Sequence, residues 1–228
     1  MTLALYGVVR ADHPLPPGAS MRLIARDGLA VVATAPPIDA AAHLAAVSGL
    51  VLDGPVLPLR FGTIAVDEDA VHAEVLAPSA AHLAGELDRL DGLAEVHIRL
   101  RFDENRALTA VYDECRDRLA AMAGHRLDQA RFIVRRLEAW RQAQVADLLA
   151  GIFQLARDQT CLQTVEHTEE RWAFLIELSA VAAVRAEIDE LAGNAEADVE
   201  WAGPLPAYSF LAVDVPRDPW TPAARWGW

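Results

Sequence analysis

The segment EVHIRLRF, residues 95–102, decides the fold class, because its polar and apolar side chains alternate without interruption. Such alternation is typical of a β-strand that buries one side and exposes the other to solvent. The apolar side chains expected on the buried side are Val96, Ile98, Leu100 and Phe102. The side chains expected on the solvent side are Glu95, His97, Arg99 and Arg101. The segment therefore predicts a sheet that needs only one covered face.

The chain before this strand predicts further strands and helices. Residues 3–9 form an apolar run that is typical of a buried strand. The Asp27-Gly28 pair lies between residues 22–24 and the apolar residues 29–33 and favours a tight hairpin turn. The residues expected to cap helices are Asp39, Asp67 and Ser79.

The pattern changes after residue 105 and becomes helical for roughly 50 residues, the apolar residues following a helical period. Strands and a further helix are then predicted up to residue 215. This order indicates an α+β fold with two small sheet-and-helix domains and a helical segment between them. We expect domains at residues 1–105 and 106–215, and a tail at residues 216–228 that is rich in tryptophan and proline.

The charge of the chain excludes several classes of function. It has 20 basic and 33 acidic residues and a net charge of −13, and every basic residue is arginine. Without lysine there is no Walker-type phosphate lysine and no pyridoxal Schiff base. An acidic chain is also repelled by nucleic acid and by anionic membrane surfaces. We therefore expect neither nucleic acid nor membrane as a partner.

Motifs that identify enzymes are missing from the sequence. It contains no G-x-S-x-G, G-x-G-x-x-G or H-E-x-x-H pattern, and its seven histidines are scattered. We therefore expect no catalytic residue, no cofactor and no metal. The alternative is a small-molecule-binding or hydrolytic α+β enzyme that uses His43 with an acid such as Asp67. The acidic residues 67–69 fit a helix N-terminus better than a cation site.

Two other features leave alternatives open. The only concentration of basic residues consists of Arg126, Arg131, Arg135, Arg136 and Arg141. These arginines belong either to a solvated helix face paired with nearby acids or to a docking surface for an acidic partner. The tryptophans of the tail, Trp220, Trp226 and Trp228, either fold back on the domain or await a partner.

The N-terminus lacks the basic region and the long apolar stretch of a signal peptide. The two cysteines lie far apart and do not form a C-x-x-C pair, which is usual for reduced thiols. We therefore expect a cytoplasmic protein.

Two proline-containing segments are expected to have structural roles. In the first, we single out Leu57, Pro58, Phe61 and Gly62. Phe61 is expected to be buried beside the strand at residues 96–102, and Gly62 to permit a turn or a close approach of the backbone. Arg60 is expected to be held by a carboxylate or by backbone carbonyls.

The second segment is the loop at residues 203–210, which is expected to close the second half of the chain. Its structural residues are Gly203, Pro204, Pro206 and Tyr208. The prolines are expected to hold an extended path, and Tyr208 to supply an apolar ring whose hydroxyl finds a partner.

Three segments resemble the gas vesicle accessory protein F/L family. They are ALYGVV at residues 4–9, PVLPLRFGTI at residues 55–64 and GPLPAYSF at residues 203–210. Supporting similarity lies in LDGLAEVHIRLRFDEN and WAFLIELSAVAAVRAEIDELA, at residues 90–105 and 172–192. The resemblance extends in the right order over about residues 3–213.

The resemblance implies a non-enzymatic protein of gas vesicle assembly with two α+β domains of ferredoxin-like character. It implies binding to the small hydrophobic shell protein (GvpA-like) and to other accessory proteins, with a chaperone-like role and a place among the minor vesicle components. We expect the shell protein to bind the N-terminal half through apolar contacts. The arginines expected to contribute to binding are Arg60, Arg99 and Arg101.

Overall fold

The computed structural model describes residues 1–164, 168–194 and 197–212. The chain forms two compact units, each of which draws on separate stretches of sequence. The described residues of the first unit are 1–96, 175–179 and 203–212, and the second unit contains 97–164, 168–174, 180–194 and 197–202. The expected single boundary at residue 105 is therefore wrong, because the chain returns to the first unit twice. The tail at residues 216–228 lies outside the described residues.

The first unit is built on a sheet of the strands β1 (Leu3–Arg10), β2 (Arg22–Arg26), β3 (Leu29–Thr34), β4 (Leu57–Pro58) and β5 (Ile64–Ala65). The strand order is β2-β3-β1-β4, and β5 also pairs with β1. Every pairing in this sheet for which the register is known is antiparallel. Asp27 and Gly28 have φ values of 51° and 83° and form the hairpin turn that their sequence predicts.

The helices of the first unit are α1 (Ala40–Leu50), α2 (Glu68–Ala70) and α3 (Ala80–Arg89). A π-helical stretch, Val71–Leu76, continues α2. Asp39 accepts a hydrogen bond from the backbone N–H of Ala42 at 2.7 Å, and Asp67 accepts one from Ala70 at 2.8 Å. These two residues cap their helices as expected, whereas the Ser79 side chain makes no capping hydrogen bond.

The first sheet is covered on both faces. The segment from which one covered face was expected, residues 95–102, does not belong to this sheet. Alternate residues of β3 enter two different clusters of buried side chains. Val47 and Leu50 of α1 belong to one cluster, and Val75 and Leu83 belong to the other. A β-bulge between Leu5 and Gly7 shifts the register of β1, so that side chains after the bulge change faces.

The second sheet consists of β6 (Leu93–Phe102), β7 (Ala156–Leu162), β8 (Glu169–Glu177) and β9 (Ala197–Leu205). The strand order is β7-β8-β6-β9, and the second unit contains most of this sheet. The helices are α4 (Glu104–Ala121), α5 (Arg126–Leu148), α6 (Ala150–Leu155) and α7 (Val181–Asn194). With two sheets and their helices, the structure confirms the α+β prediction. Within the described ranges, no helix has the length and apolar character that crossing a membrane requires.

Candidate functional site

The loop between β4 and β5 presents Phe61 to solvent. Leu57 and Leu59 point inward and are fully buried, after which the chain turns at Arg60–Thr63. The Thr63 backbone N–H and hydroxyl both donate to the Arg60 carbonyl, at 3.1 Å and 2.7 Å. Gly62 has a φ of 86°, a left-handed conformation that a side chain would strain.

The expectation that Phe61 is buried beside residues 96–102 is wrong, since 52% of the residue is exposed. The turn directs its ring away from the buried cluster that Leu57 and Leu59 enter. The ring instead meets the His43 ring edge-on, with 5.7 Å between centroids.

Phe61 belongs to a group of four exposed apolar side chains, which we call the Phe61 surface. Its members are Leu44, Phe61, Ile64 and Val66, and they are between 47% and 66% exposed. Ala65 lies between two of these residues and is buried, as expected for alternating positions of an extended chain. Phe61, Ile64 and Val66 follow one another closely in sequence, and Leu44 is next to His43, whose ring meets that of Phe61. Exposed apolar side chains grouped in this way often mark a site of interaction.

Sequence reasoning did not identify Leu44, Ile64 and Val66. The available signal is the absence of any charged residue between Arg60 and Asp67, in a chain with 23% charged residues. An uncharged stretch next to a short strand at the edge of a sheet indicates that apolar side chains face outward there.

His43 supports the Phe61 surface from beneath and is only 3% exposed. Its Nε2 lies 3.2 Å from the Leu59 carbonyl oxygen, which accepts the hydrogen bond. The ring also stacks on Tyr6 at a centroid distance of 5.2 Å. Burial lowers the pKa of His43, so the imidazole is neutral near pH 7. The buried histidine therefore holds α1, β1 and the turn together.

The enzymatic alternative paired His43 with an acid such as Asp67. The structure assigns His43 Nε2–H to the Leu59 carbonyl and the Asp67 carboxylate to the N-terminus of α2. Among the described residues, no group of three histidine, cysteine or acidic side chains is placed to hold a metal ion.

Arg60 is exposed at the turn, next to the Phe61 surface. Its guanidinium has no hydrogen bond or ion pair with any described residue, so none of these residues supplies the expected anchor by a carboxylate or a carbonyl. The reason is its position on the outside of the turn, where only its backbone carbonyl is engaged.

Arg99 and Arg101 lie on the polar side of β6, in the second unit. Arg99 donates to Glu169 at 2.7 Å and to Glu200 at 3.0 Å. Its hydrogen bond lowers the pKa of Glu169, and the charges of Arg171 and Arg101 act in the same direction. Arg99 is therefore engaged within its own unit, whereas Arg101 is half-buried beside this network.

Glu95 is fully buried, which corrects the expectation that it lies on a solvent side of β6. Its carboxylate accepts hydrogen bonds from the Ser209 backbone N–H at 2.8 Å and from the Ser209 hydroxyl at 2.7 Å. The segment after β9 thus covers the polar side of β6 at Glu95, near the start of the strand. His97, Arg99 and Arg101 are partly buried.

The segment at residues 203–210 belongs to the first unit, not to the second half as expected. Gly203 packs so closely that a Cβ atom there would lie 3.0 Å from Val96 Cγ2. Burial, with a contribution from the Glu95 carboxylate, raises the pKa of Tyr208 to about 12. The Tyr208 hydroxyl makes no hydrogen bond to a described residue, so none of these residues is the partner expected for it. The residue as a whole is 38% exposed.

Comparisons with known proteins agree over almost the whole chain. The family model described as gas vesicle synthesis protein GvpL/GvpF matches residues 3–212. Gas vesicle protein F of Streptomyces sp. (strain CB03234) is 27% identical over 238 aligned residues, which cover 92% of this chain and 100% of that protein.

Two solved structures show the same fold. The crystal structure of GvpF from Microcystis aeruginosa has a TM-score of 0.78 at 17% identity, covering 93% of this chain and 99% of that one. The crystal structure of GvpF from Anabaena sp. PCC7120 has a TM-score of 0.79 at 17% identity, covering 94% and 99%.

Proposed function

Because the chain belongs to the GvpL/GvpF family of gas vesicle synthesis proteins, we propose that it binds the hydrophobic gas vesicle shell protein through the Phe61 surface. In this role it limits aggregation of the shell protein or aids its nucleation, without catalysis. It acts in the cytoplasm in association with gas vesicles, as a minor component, and contacts other accessory proteins. The observation that carries the proposal is the exposure of Leu44, Phe61, Ile64 and Val66 in one unit.

The physical chemistry of the shell supports this role. A protein that forms the wall of a gas-filled compartment must expose apolar surface, and such surface aggregates in water before assembly. A binding protein with its own apolar surface can cover part of the apolar surface of the shell protein. The net charge of −13 then keeps copies of the complex apart.

Among the candidate arginines, Arg60 and Arg101 are better placed than Arg99 to orient a partner. A partner that used Arg99 would have to displace Glu169, which is 7% exposed and would be left without its closest cation. Arg60 has no such partner to lose and adjoins the Phe61 surface. We therefore assign the orienting contact to Arg60, and keep Arg101 as a candidate for a separate contact.

The test is the light scattering of shell protein diluted from denaturant in the presence of this protein. Wild type is expected to suppress the scattering, and Phe61→Asp to need at least about tenfold more protein for the same effect, as for a residue central to an interface. Tyr112→Asp is the matched control, since Tyr112 lies on α4 of the second unit and is 49% exposed, against 52% for Phe61. Both variants should melt like wild type.

Salt separates apolar from electrostatic binding in the same assay. At about 0.5 M salt, charges are screened within about 4 Å. Suppression by wild type should persist there with modest weakening, because the Phe61 surface contributes most of the affinity. Full suppression by Phe61→Asp, or equal loss in Tyr112→Asp, would contradict the proposal.

A further inference from the structure

Three arginines on α5 have no partner among the described residues. Arg126, Arg131 and Arg135 are exposed, and none has a hydrogen bond or ion pair with a described side chain. Their neighbours Arg136 and Arg141 are paired, with Glu114 and Glu170. The chain has 33 acidic residues, yet none of those that the structure describes pairs with these three arginines.

Apolar side chains lie among these arginines. Leu127 is 65% exposed and Val134 is 54% exposed. They are seven residues apart, and Arg131 is three or four residues from each, so all three share one side of the helix. We call Arg126, Leu127, Arg131, Val134 and Arg135 the α5 surface.

The α5 surface continues into an apolar groove of about 230 Å³. Val134 lines the groove together with Phe102, Ala107, Leu137 and Trp140. Phe102 and Trp140 meet edge-on at 5.6 Å between centroids and form one wall. A side chain that packs against Val134 therefore has an apolar recess next to it.

We infer that the α5 surface is a docking site for an acidic amphipathic helix of another protein. Charge complementarity selects acidic residues opposite the three unpaired arginines. The exposed Leu127 and Val134 repeat after two helical turns, which is the spacing that a second helix presents. This inference does not depend on binding of the shell protein, which the Phe61 surface of the other unit is proposed to carry.

The charges around the groove determine which end of the bound helix lies there. Glu104 and Glu138 line the groove and are exposed, so acidic residues are disfavoured at that end. The acidic residues of the occupant therefore face Arg126–Arg135, and its apolar or neutral end lies at the groove. Nucleic acid fits less well, because it cannot fill an apolar groove and is repelled by the rest of the chain.

The probe is a fluorescein-labelled synthetic helix of leucine, alanine and glutamate, with leucines at a seven-residue repeat. Its binding to the 228-residue chain is followed by fluorescence anisotropy. A second peptide has lysine in place of each glutamate. The glutamate peptide should bind and the lysine peptide should not. Arg131→Glu with Arg135→Glu, or Val134→Asp, should weaken binding at least about tenfold. Glu138→Lys should strengthen it.

The matched control is Arg26→Glu with Arg116→Glu, which changes the net charge equally at two other exposed arginines. It should bind the glutamate peptide like wild type. Equal weakening in this control would show a net-charge effect and overturn the inference, as would equal binding of the two peptides.

Two further measurements distinguish other occupants. Loss of duplex DNA binding in the Arg131/Arg135 variant would assign the surface to nucleic acid. A wild-type dimer in sedimentation that Val134→Asp dissociates would assign it to a second copy. Either result overturns the inference. The Arg131/Arg135 variant should still suppress scattering by shell protein, so failure of the two proposals can be told apart.

Discussion

At the scale of single residues, the protonation state of His43 is set by the side chains and backbone around it. Its ring lies between Tyr6 and Phe61, and its Nε2–H donates to the Leu59 carbonyl. Nδ1 is buried without a hydrogen-bond partner among the described residues. Protonation of His43 would therefore place an uncompensated charge beneath the Phe61 surface, which burial disfavours.

The pH dependence of stability follows from this burial. The pKa of folded His43 is lowered, so between that pKa and the ordinary value of about 6.5 the unfolded chain binds the extra proton. The free energy of unfolding should thus fall as the pH decreases from about 7.5 to 5.5. Burial lowers the pKa of His13 as well, so protonation of His13 destabilises the fold over the same pH range.

The carboxyl groups of Glu86 and Glu169 do not account for this change. Hydrogen bonds from Arg89 and Arg99 lower the pKa values of these two carboxyl groups. Their titration therefore changes the free energy of unfolding only at pH values below the ordinary carboxyl pKa of about 4.5. Urea unfolding of wild type and His43→Gln at both pH values is the measurement. The glutamine amide cannot titrate, so a decline as steep as in wild type would contradict the assignment to His43.

At the scale of secondary-structure elements, β6 is held by the segment that follows β9. Glu95 of β6 accepts two hydrogen bonds from Ser209, although the two residues are 114 positions apart. Arg89 of α3 donates to the Phe210 carbonyl at 2.5 Å, and Glu86 accepts from the Ala212 backbone N–H at 3.0 Å. These bonds keep the segment at residues 209–212 in place within the first unit.

We expect Glu95→Ala to cost about 3 kcal/mol or more, since it leaves the Ser209 donors without an acceptor and opens space at a buried position. Ser209→Ala should cost about 1 kcal/mol, because the backbone N–H still reaches the carboxylate. Chemical denaturation of both variants measures the difference. If Glu95→Ala is no less stable than Ser209→Ala, the carboxylate does not anchor the segment.

At the scale of the whole molecule, the two units are discontinuous in sequence. Leu175 of β8 and Ala207 are buried in the same cluster as Leu3, Leu5 and Val8. The core of the first unit is therefore incomplete until the chain beyond residue 200 has been added. The N-terminal residues alone cannot bury this apolar surface.

A fragment of residues 1–105 should therefore lack fixed tertiary structure. It omits residues 175–179 and 203–212 of the first unit, and the Glu95 carboxylate loses Ser209. A chain that ends at residue 215 retains every described residue and should fold. Near-ultraviolet circular dichroism and the cooperativity of urea unfolding compare the two chains. Cooperative unfolding of the fragment would show that the first unit does not need its distant segments.

The sequence by itself determined the α+β class, the family and much of the local structure. The hairpin turn at Asp27-Gly28 and the caps Asp39 and Asp67 were predictable because each depends on residues within a few positions. The turn conformation of Gly62 follows from the same kind of local preference.

Tertiary structure alone decided which side chains are buried, paired or exposed. The alternating sequence of β6 distinguishes the two sides of the strand but not their burial. Glu95 is buried because the segment that contains Ser209 packs on it. Arg99 is paired because Glu169, 70 residues away in sequence, lies beside it. Arg136 pairs with Glu114 of another element, whereas Arg131 and Arg135 on the same helix pair with no described acid. Burial and ion pairing arise between residues far apart in sequence, and local patterns hold no information about those distances.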